Sequence, residues 1–261
     1  MIERLKAIGI EAVERAGRVV ALPANTNDVS KLVRHAREAR WVVAPHWLAE
    51  GDLGRAVFCL SLERMTAVRE VATVDFLAVA EGGGTCAALD ARLAADALSW
   101  PGTLVAGPDE ALSDVIARAP GNWTRAGNLL RRYVLGLEVV LADGALLATG
   151  SRTVKCVTGY DLKQMFTGSW GTLGVVTGLT LRLEPLANRE SVRERYRRGF
   201  AGMEGSGRAA RGAGSTDGGP VILERLKREL DPAGVLPPVS VIGTAAVPPS
   251  SVPRDAGGGS T

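Results

Sequence analysis

The stretch LGLEVVLADGALLATG, residues 135–150, has little choice but to fold back on itself. Two apolar runs flank Asp143-Gly144, a pair favoured in two-residue turns because both central residues take positive φ. Further on, TLGVVTGLTLRLEPL (172–186) alternates through Leu179, Leu181 and Leu183 and stops at Pro185, which predicts another strand. Between these strands lies GYDLKQMFTGSWGTLGVV (159–176), with glycine at 159, 168, 171 and 174. Glycine serves where backbone needs positive φ or must approach another group closely. The stretch is either a helix stop with a tight entry into a strand, or backbone wrapped against a flat cofactor.

Upstream, RVVAL (18–22) and WVVAP (41–45) read as strands on either side of a helix. That helix, in NTNDVSKLVRHAREAR, can be capped by Asn25 or Asn27, and Val29, Leu32, Val33 and Ala36 share one face. The result is a β-α-β unit opening an α/β or α+β domain. VFCLSL (57–62), FLAVAE (76–81) and TLVAG (103–107) predict further strands, and CAALDARLAADAL (86–98) a helix with Leu89 and Leu93 inward. Composition shifts after residue 186. Residues 187–220 are polar, rich in Gly and Arg, and read as a linker; 221–236 hold one helix; 237–261 read as a disordered tail.

A net charge of +3 with 5% aromatic residues offers no basic stripe interleaved with rings, so nucleic acid is not an expected partner. Cys59, Cys86 and Cys156 are odd in number, far apart and without a CxxC, which argues against a disulfide framework or zinc site and fits a reducing compartment. The charged N-terminal segment does not read as a secretory signal, and the longest uncharged run, 235–253, is too rich in proline to span a membrane. A cytoplasmic location is the resulting expectation.

EGGGTCA (81–87) follows a strand and opens a helix, matching a G-x-G-x-x-A variant through Gly82, Gly84 and Ala87. It is either a dinucleotide site, with amides at a helix N-terminus receiving a pyrophosphate, or an ordinary glycine-rich turn. His35 falls on the exposed side of its helix. Lys155 either meets an anion or flanks a turn, and Arg131-Arg132 and RERYRRGF (193–200) either pair with phosphate or solvate a face.

The order VLGLEVVLADG, K-x-V-x-GYDL, F-x-G-S-x-GTLGVV, T-L-R-L-x-P across 131–186 resembles the FAD-binding domain of the p-cresol methylhydroxylase/vanillyl-alcohol oxidase superfamily. Within it, the chain is most similar to the FAD-binding subunits of bacterial glycolate oxidase. The likeness continues more loosely from residue 17 and returns in LERLKRELDPAGVLPP. It implies an α+β fold of two small α/β subdomains over residues 1–186, with the cap domain vestigial or missing. It also implies FAD as cofactor, with Gly159, Asp161, Gly168, Gly171, Gly174 and Val175 at the flavin wall and His46 as a candidate covalent attachment point. The catalytic residues stay unassigned.

The activity implied is hydride transfer from a small 2-hydroxy acid to flavin, in a complex with other subunits. The resemblance also implies two glycine-rich pyrophosphate loops. Here PHWLAEGD (45–52) carries Trp47, Leu48 and Ala49 in the first, and Ser113-Asp114 replace the glycine pair of the second. These departures define an alternative: a non-catalytic, partner-binding subunit that keeps the fold but not the flavin.

Overall fold

The computed structural model describes residues 1–48, 56–119, 130–150, 161–201 and 219–242. Helix α1 (Ile2–Ala7) precedes strands β1 (Glu11–Arg15) and β2 (Arg18–Leu22), which pair antiparallel with Glu11 opposite Leu22. Helix α2 (Thr26–Ala39) starts where expected: the Asn25 side chain accepts from the Asp28 N–H at 3.0 Å, a cap worth about 1 kcal/mol. Strand β3 (Val42–Pro45) follows. Strand β4 (Val57–Leu60) then enters between β2 and β3, parallel to both, giving the order β1-β2-β4-β3.

The second sheet is antiparallel throughout, in the order β5-β6-β10-β8-β9. It comprises β5 (Val68–Ala72), β6 (Leu77–Glu81), β8 (Val134–Val140), β9 (Leu146–Gly150) and β10 (Val175–Arg182). The Asp143-Gly144 turn forms, with Gly144 at φ +80°, and β8 pairs with β9 as a hairpin. Helices α3 (Cys86–Ala94) and α4 (Leu112–Ala117) cover one face of this sheet, packing Leu89, Leu93, Leu112 and Ile116 around buried Trp100. Its opposite face meets α2: Ser30 donates to the Gly144 carbonyl at 2.6 Å, and Val140 and Ala142 join the α2 core. Helix α2 is thus shared by both lobes.

A backbone crossing holds the lobes in register. The Gly82 N–H donates to Thr177 O at 2.8 Å and the Gly83 N–H to Met65 O at 2.9 Å, while Gly82 O and Gly84 O accept from Ser113 and Leu112. A Cβ on Gly83 would lie 1.7 Å from Leu62 O, whereas one on Gly84 would meet nothing closer than 3.4 Å. The three glycines of EGGGT therefore serve close backbone passage. The first turn of α3 is closed as well, since the Cys86 and Ala87 N–H groups donate to Glu110 O and Pro108 O. A pyrophosphate has no free amides there, and the dinucleotide reading of 81–87 falls.

Several other expectations change. TLVAG is no strand: Pro101–Leu104 forms a 3-10 turn, started by Pro101, after the two-residue strand β7 (Leu98–Ser99). Strand β7 pairs with β11 (Glu184–Pro185). Helix α5 (Lys163–Phe166) is a single turn within the glycine-rich stretch. The segment read as a linker begins with helix α6 (Arg189–Ala201), anchored by buried Val192 and by Arg189 donating to Asp90 at 2.7 Å. The C-terminal helix forms as α7 (Gly219–Leu230). His35 is half-buried rather than exposed, its ring tilted against Phe58 at 6.2 Å.

The crossing predicts an asymmetry between adjacent glycines. Gly83→Ala should cost about 3 kcal/mol or more, because the atom it meets is backbone, while Gly84→Ala should cost under about 1 kcal/mol. Urea denaturation of both variants measures this, and equal effects would contradict the packing described.

Candidate functional site

A cleft of about 340 Å³ opens between the lobes. Its walls are residues 45–47 after β3, 60–63 after β4, 109–118 around α4, and 169–176 leading into β10. All four segments follow or precede a strand end, so rigid sheets position the side chains facing the cleft.

The glycine-rich wall is stitched to α4. The Gly168 N–H donates to Ile116 O and the Trp170 N–H to Ala117 O, each at 2.9 Å. Gly168, Trp170 and Gly171 take positive φ of +76°, +57° and +72°. Gly171 faces the cleft, where a Cβ would press on Pro45 at 3.1 Å. Gly174 also borders the cleft, but its missing Cβ makes room for Val139 behind it at 2.4 Å.

Of the residues expected at the flavin wall, Gly171, Gly174 and Val175 line the cleft, and so does His46. Gly168 supports the wall from behind. Asp161 is exposed, ion-paired with Lys163 at 2.6 Å, and stabilises the start of α5, away from the cleft. Gly159 lies outside the described residues, as do Lys155 and Cys156. Cys59 and Cys86 are buried, and burial first, then the nearby Glu110 and Asp90 charges, pushes the Cys86 thiol up to about 12. It is a packing residue and no nucleophile.

Trp47, Asp114 and Arg118 dominate the mouth. The Trp47 ring meets Trp170 edge-on at 5.6 Å, and the Arg118 guanidinium lies over Trp47 at 5.3 Å. Arg118 also pairs with Glu110. Burial raises the Asp114 carboxyl above the ordinary carboxylate range; His46, the Trp47 N–H and Arg118 oppose that rise without cancelling it. Arg15 draws the other nearby acid, Glu63, the opposite way, below its usual range.

Two buried donors on this wall meet no acceptor at hydrogen-bonding geometry: Trp47 Nε1 and Arg118 Nε. A buried donor left unmet costs on the order of 1–3 kcal/mol, so such a pair bordering a cleft calls for an anionic or carbonyl ligand. Glycine-pattern reasoning missed both residues. It treated 112–123 as a loop, whereas α4 turns Asp114 and Arg118 onto the same face, four positions apart.

Comparisons agree with this geometry. The family described as "FAD binding domain" matches residues 17–150. A probable mitochondrial D-lactate dehydrogenase of Danio rerio is 36% identical over 63% of this chain and 35% of its own length. The D-lactate dehydrogenase of Archaeoglobus fulgidus is 34% identical, covering 64% and 39%. Glycolate oxidase subunit GlcD of Bacillus subtilis is 30% identical, covering 64% and 37%. Among solved structures, 4-ethylphenol oxidase from Gulosibacter chungangensis shares the fold at TM-score 0.51 and 23% identity, over 64% of this chain and 35% of that one.

The two-lobed fold with an interlobe cleft is thus that of the p-cresol methylhydroxylase-type flavoproteins. This chain belongs to the FAD binding domain family, and FAD is the cofactor that membership assigns to it. It spans little more than a third of the length of the curated relatives named. Among the described residues no helix is long and apolar enough to cross a membrane, and no His, Cys, Asp and Glu cluster could hold a metal.

The residues present fit the cofactor in a modified way. Gly171 leaves room for a ring, and Trp47 and Arg118 offer N–H donors to phosphate oxygens where glycine-loop amides are implied by the resemblance. Asp114, expected to repel a pyrophosphate, takes up a proton more readily than an ordinary aspartate and then donates rather than repels.

The raised Asp114 carboxyl has a stability consequence. Below the unfolded pKa both states are protonated and no penalty exists. As pH rises past it, the unfolded chain releases its proton first, so stability falls until the folded pKa is passed and then levels off. Asp114→Asn removes this penalty. Its melting temperature should match wild type at pH 3.5 and exceed it at pH 7.5; the same difference at both values would contradict burial as the cause.

Proposed function

We propose that the chain is the FAD-binding part of a flavin-dependent 2-hydroxy-acid oxidoreductase of the lactate, glycolate and hydroxyglutarate type, working with further subunits or domains. The observation that carries this is the interlobe cleft, which sets Gly171 and Val175 on one wall and the unmet Trp47 and Arg118 donors on the other. Similarity to D-lactate dehydrogenases and to GlcD supports a 2-hydroxy acid as substrate and a multi-subunit setting. When bound, the flavin supplies the redox chemistry, taking a hydride from the substrate's α-carbon. The chain's own residues bind and orient: Arg118 and Trp47 hold phosphate, and the 169–176 wall sets the ring plane. His46, on the rim, is the residue at which a covalent flavin link would form.

A second reading keeps its own observation. Trp47 and Trp170 touch across the mouth, which also suits a non-catalytic subunit that binds partners with its cleft closed. One visible absorption spectrum separates the two. Protein purified after incubation with FAD should retain flavin bands near those of free FAD, and Arg118→Met should weaken FAD binding at least about tenfold, as expected for loss of a charge-assisted hydrogen bond. A wild-type chain that stays colourless supports the non-catalytic reading instead. Flavin released entirely on acid precipitation rules out the His46 link.

A further inference from the structure

Helix α7 carries a buried cation that the family match, ending at residue 150, does not reach. Lys227 is only 9% exposed. Its ammonium has three acceptors: the Asp231 carboxylate, Thr172 O at 2.8 Å and Leu236 O at 3.0 Å. An ammonium has three protons, so every donor is met. Asp231 is equally committed, accepting from Lys227 and from the Val235 and Leu236 N–H groups at 2.8 Å each. Burial lowers the Lys227 pKa, and its contact with Asp231 opposes that fall.

The placement of these partners gives the pair its meaning. Thr172 is fully buried in the wall between Gly171 and Gly174, and its hydroxyl donates to Ser169 O at 2.6 Å, closing the turn on itself. Ser169, Gly171 and Gly174 all line the cleft. On the other side, Val235 O accepts from the Val43 N–H at 2.7 Å, and Val235 and Leu236 pack into the core of the first lobe. Leu223, Leu226 and Leu230 of α7 lean on the core of the second lobe. One short segment therefore touches both lobes, and it reaches the cleft wall through the hydrogen bond from Lys227 to Thr172.

We propose that Lys227 is a positioning residue for the cofactor cleft: held by Asp231, it fixes the Thr172 carbonyl and thereby the depth and plane of the 169–174 wall that a flavin ring rests on. This rests on the flavin reading of the cleft, but its physical core does not. A surface ion pair would contribute little. A buried ammonium shared by two carbonyls from different parts of the chain specifies one arrangement of both, because any shift leaves a charge unmet.

The experiment is hydrogen–deuterium exchange on the full chain without FAD, comparing wild type with Lys227→Met, followed by titration with FAD and with ADP, which lacks the ring system. Exchange in peptides covering 169–176 should quicken at least about tenfold, as for loss of a charge-assisted hydrogen bond, with peptides of α2 unchanged. FAD affinity should fall about tenfold while ADP affinity holds, since ADP does not use this wall. Uniform quickening in all peptides, or none at 169–176, would overturn the proposal. Should Lys227→Met fail to fold, Asp231→Asn keeps the ammonium and its two carbonyl contacts; it must quicken 169–176 selectively, and its failure to do so is equally decisive. If wild type binds no FAD while the exchange pattern appears, the clamp stands and the flavin reading falls.

Discussion

Backbone passing against backbone at Gly82-Gly83-Gly84 is the constraint on which the rest of the molecule depends. Three chain segments meet there: the turn after β4 through Leu62 and Met65, strand β10 through Thr177, and the start of α4 through Leu112 and Ser113. Each is joined by a main-chain hydrogen bond at 2.8–2.9 Å, and Leu62 O leaves no room for a side chain at Gly83. Because the partners are backbone, the geometry is set by chain path and tolerates little adjustment. The same three segments continue directly into the cleft walls, so the crossing fixes the width of the site.

Chemistry at the cleft follows from where side chains replace amides. A glycine-rich loop binds phosphate by clustering N–H groups in a concave turn. At this mouth Trp47 and Arg118 supply donors, and buried Asp114 becomes an acid that holds its proton longer than usual. Side-chain donors carry a cost that amides do not: the Trp47 and Arg118 side chains must be held in place, which the edge-on Trp170 contact and the Glu110 ion pair do. The mouth is thus more tightly self-packed, and its charge more dependent on pH, than one made of glycines.

Much of the scaffold was legible in residue order. Asn25 marked the start of α2, Asp143-Gly144 marked a hairpin, and alternation through Leu179 and Leu181 marked β10, because each signal is local and each element obeys it. Misreadings came where a local pattern was overruled. TLVAG has strand composition, but Pro101 starts a 3-10 turn before it. Helix α6 has almost no apolar periodicity, since Val192 is its single buried residue among those whose side chains are described, so it read as linker. At the site, the glycines announced a close approach without saying to what: Gly171 opens onto the cleft, while Gly174 makes room for Val139. Lys227 was invisible as a site residue, because its partners lie 55 positions back and 9 positions on.

The central claim is that the cleft receives a dinucleotide along its whole length, phosphate at the Trp47–Arg118 mouth and ring system at the 169–176 wall. Calorimetric titration of the wild-type chain with FAD, ADP and riboflavin tests it most directly. The account predicts that FAD binds more tightly than either fragment and that both fragments compete with it. Affinity for none of the three, or binding of ADP and riboflavin without competition against FAD, would contradict it.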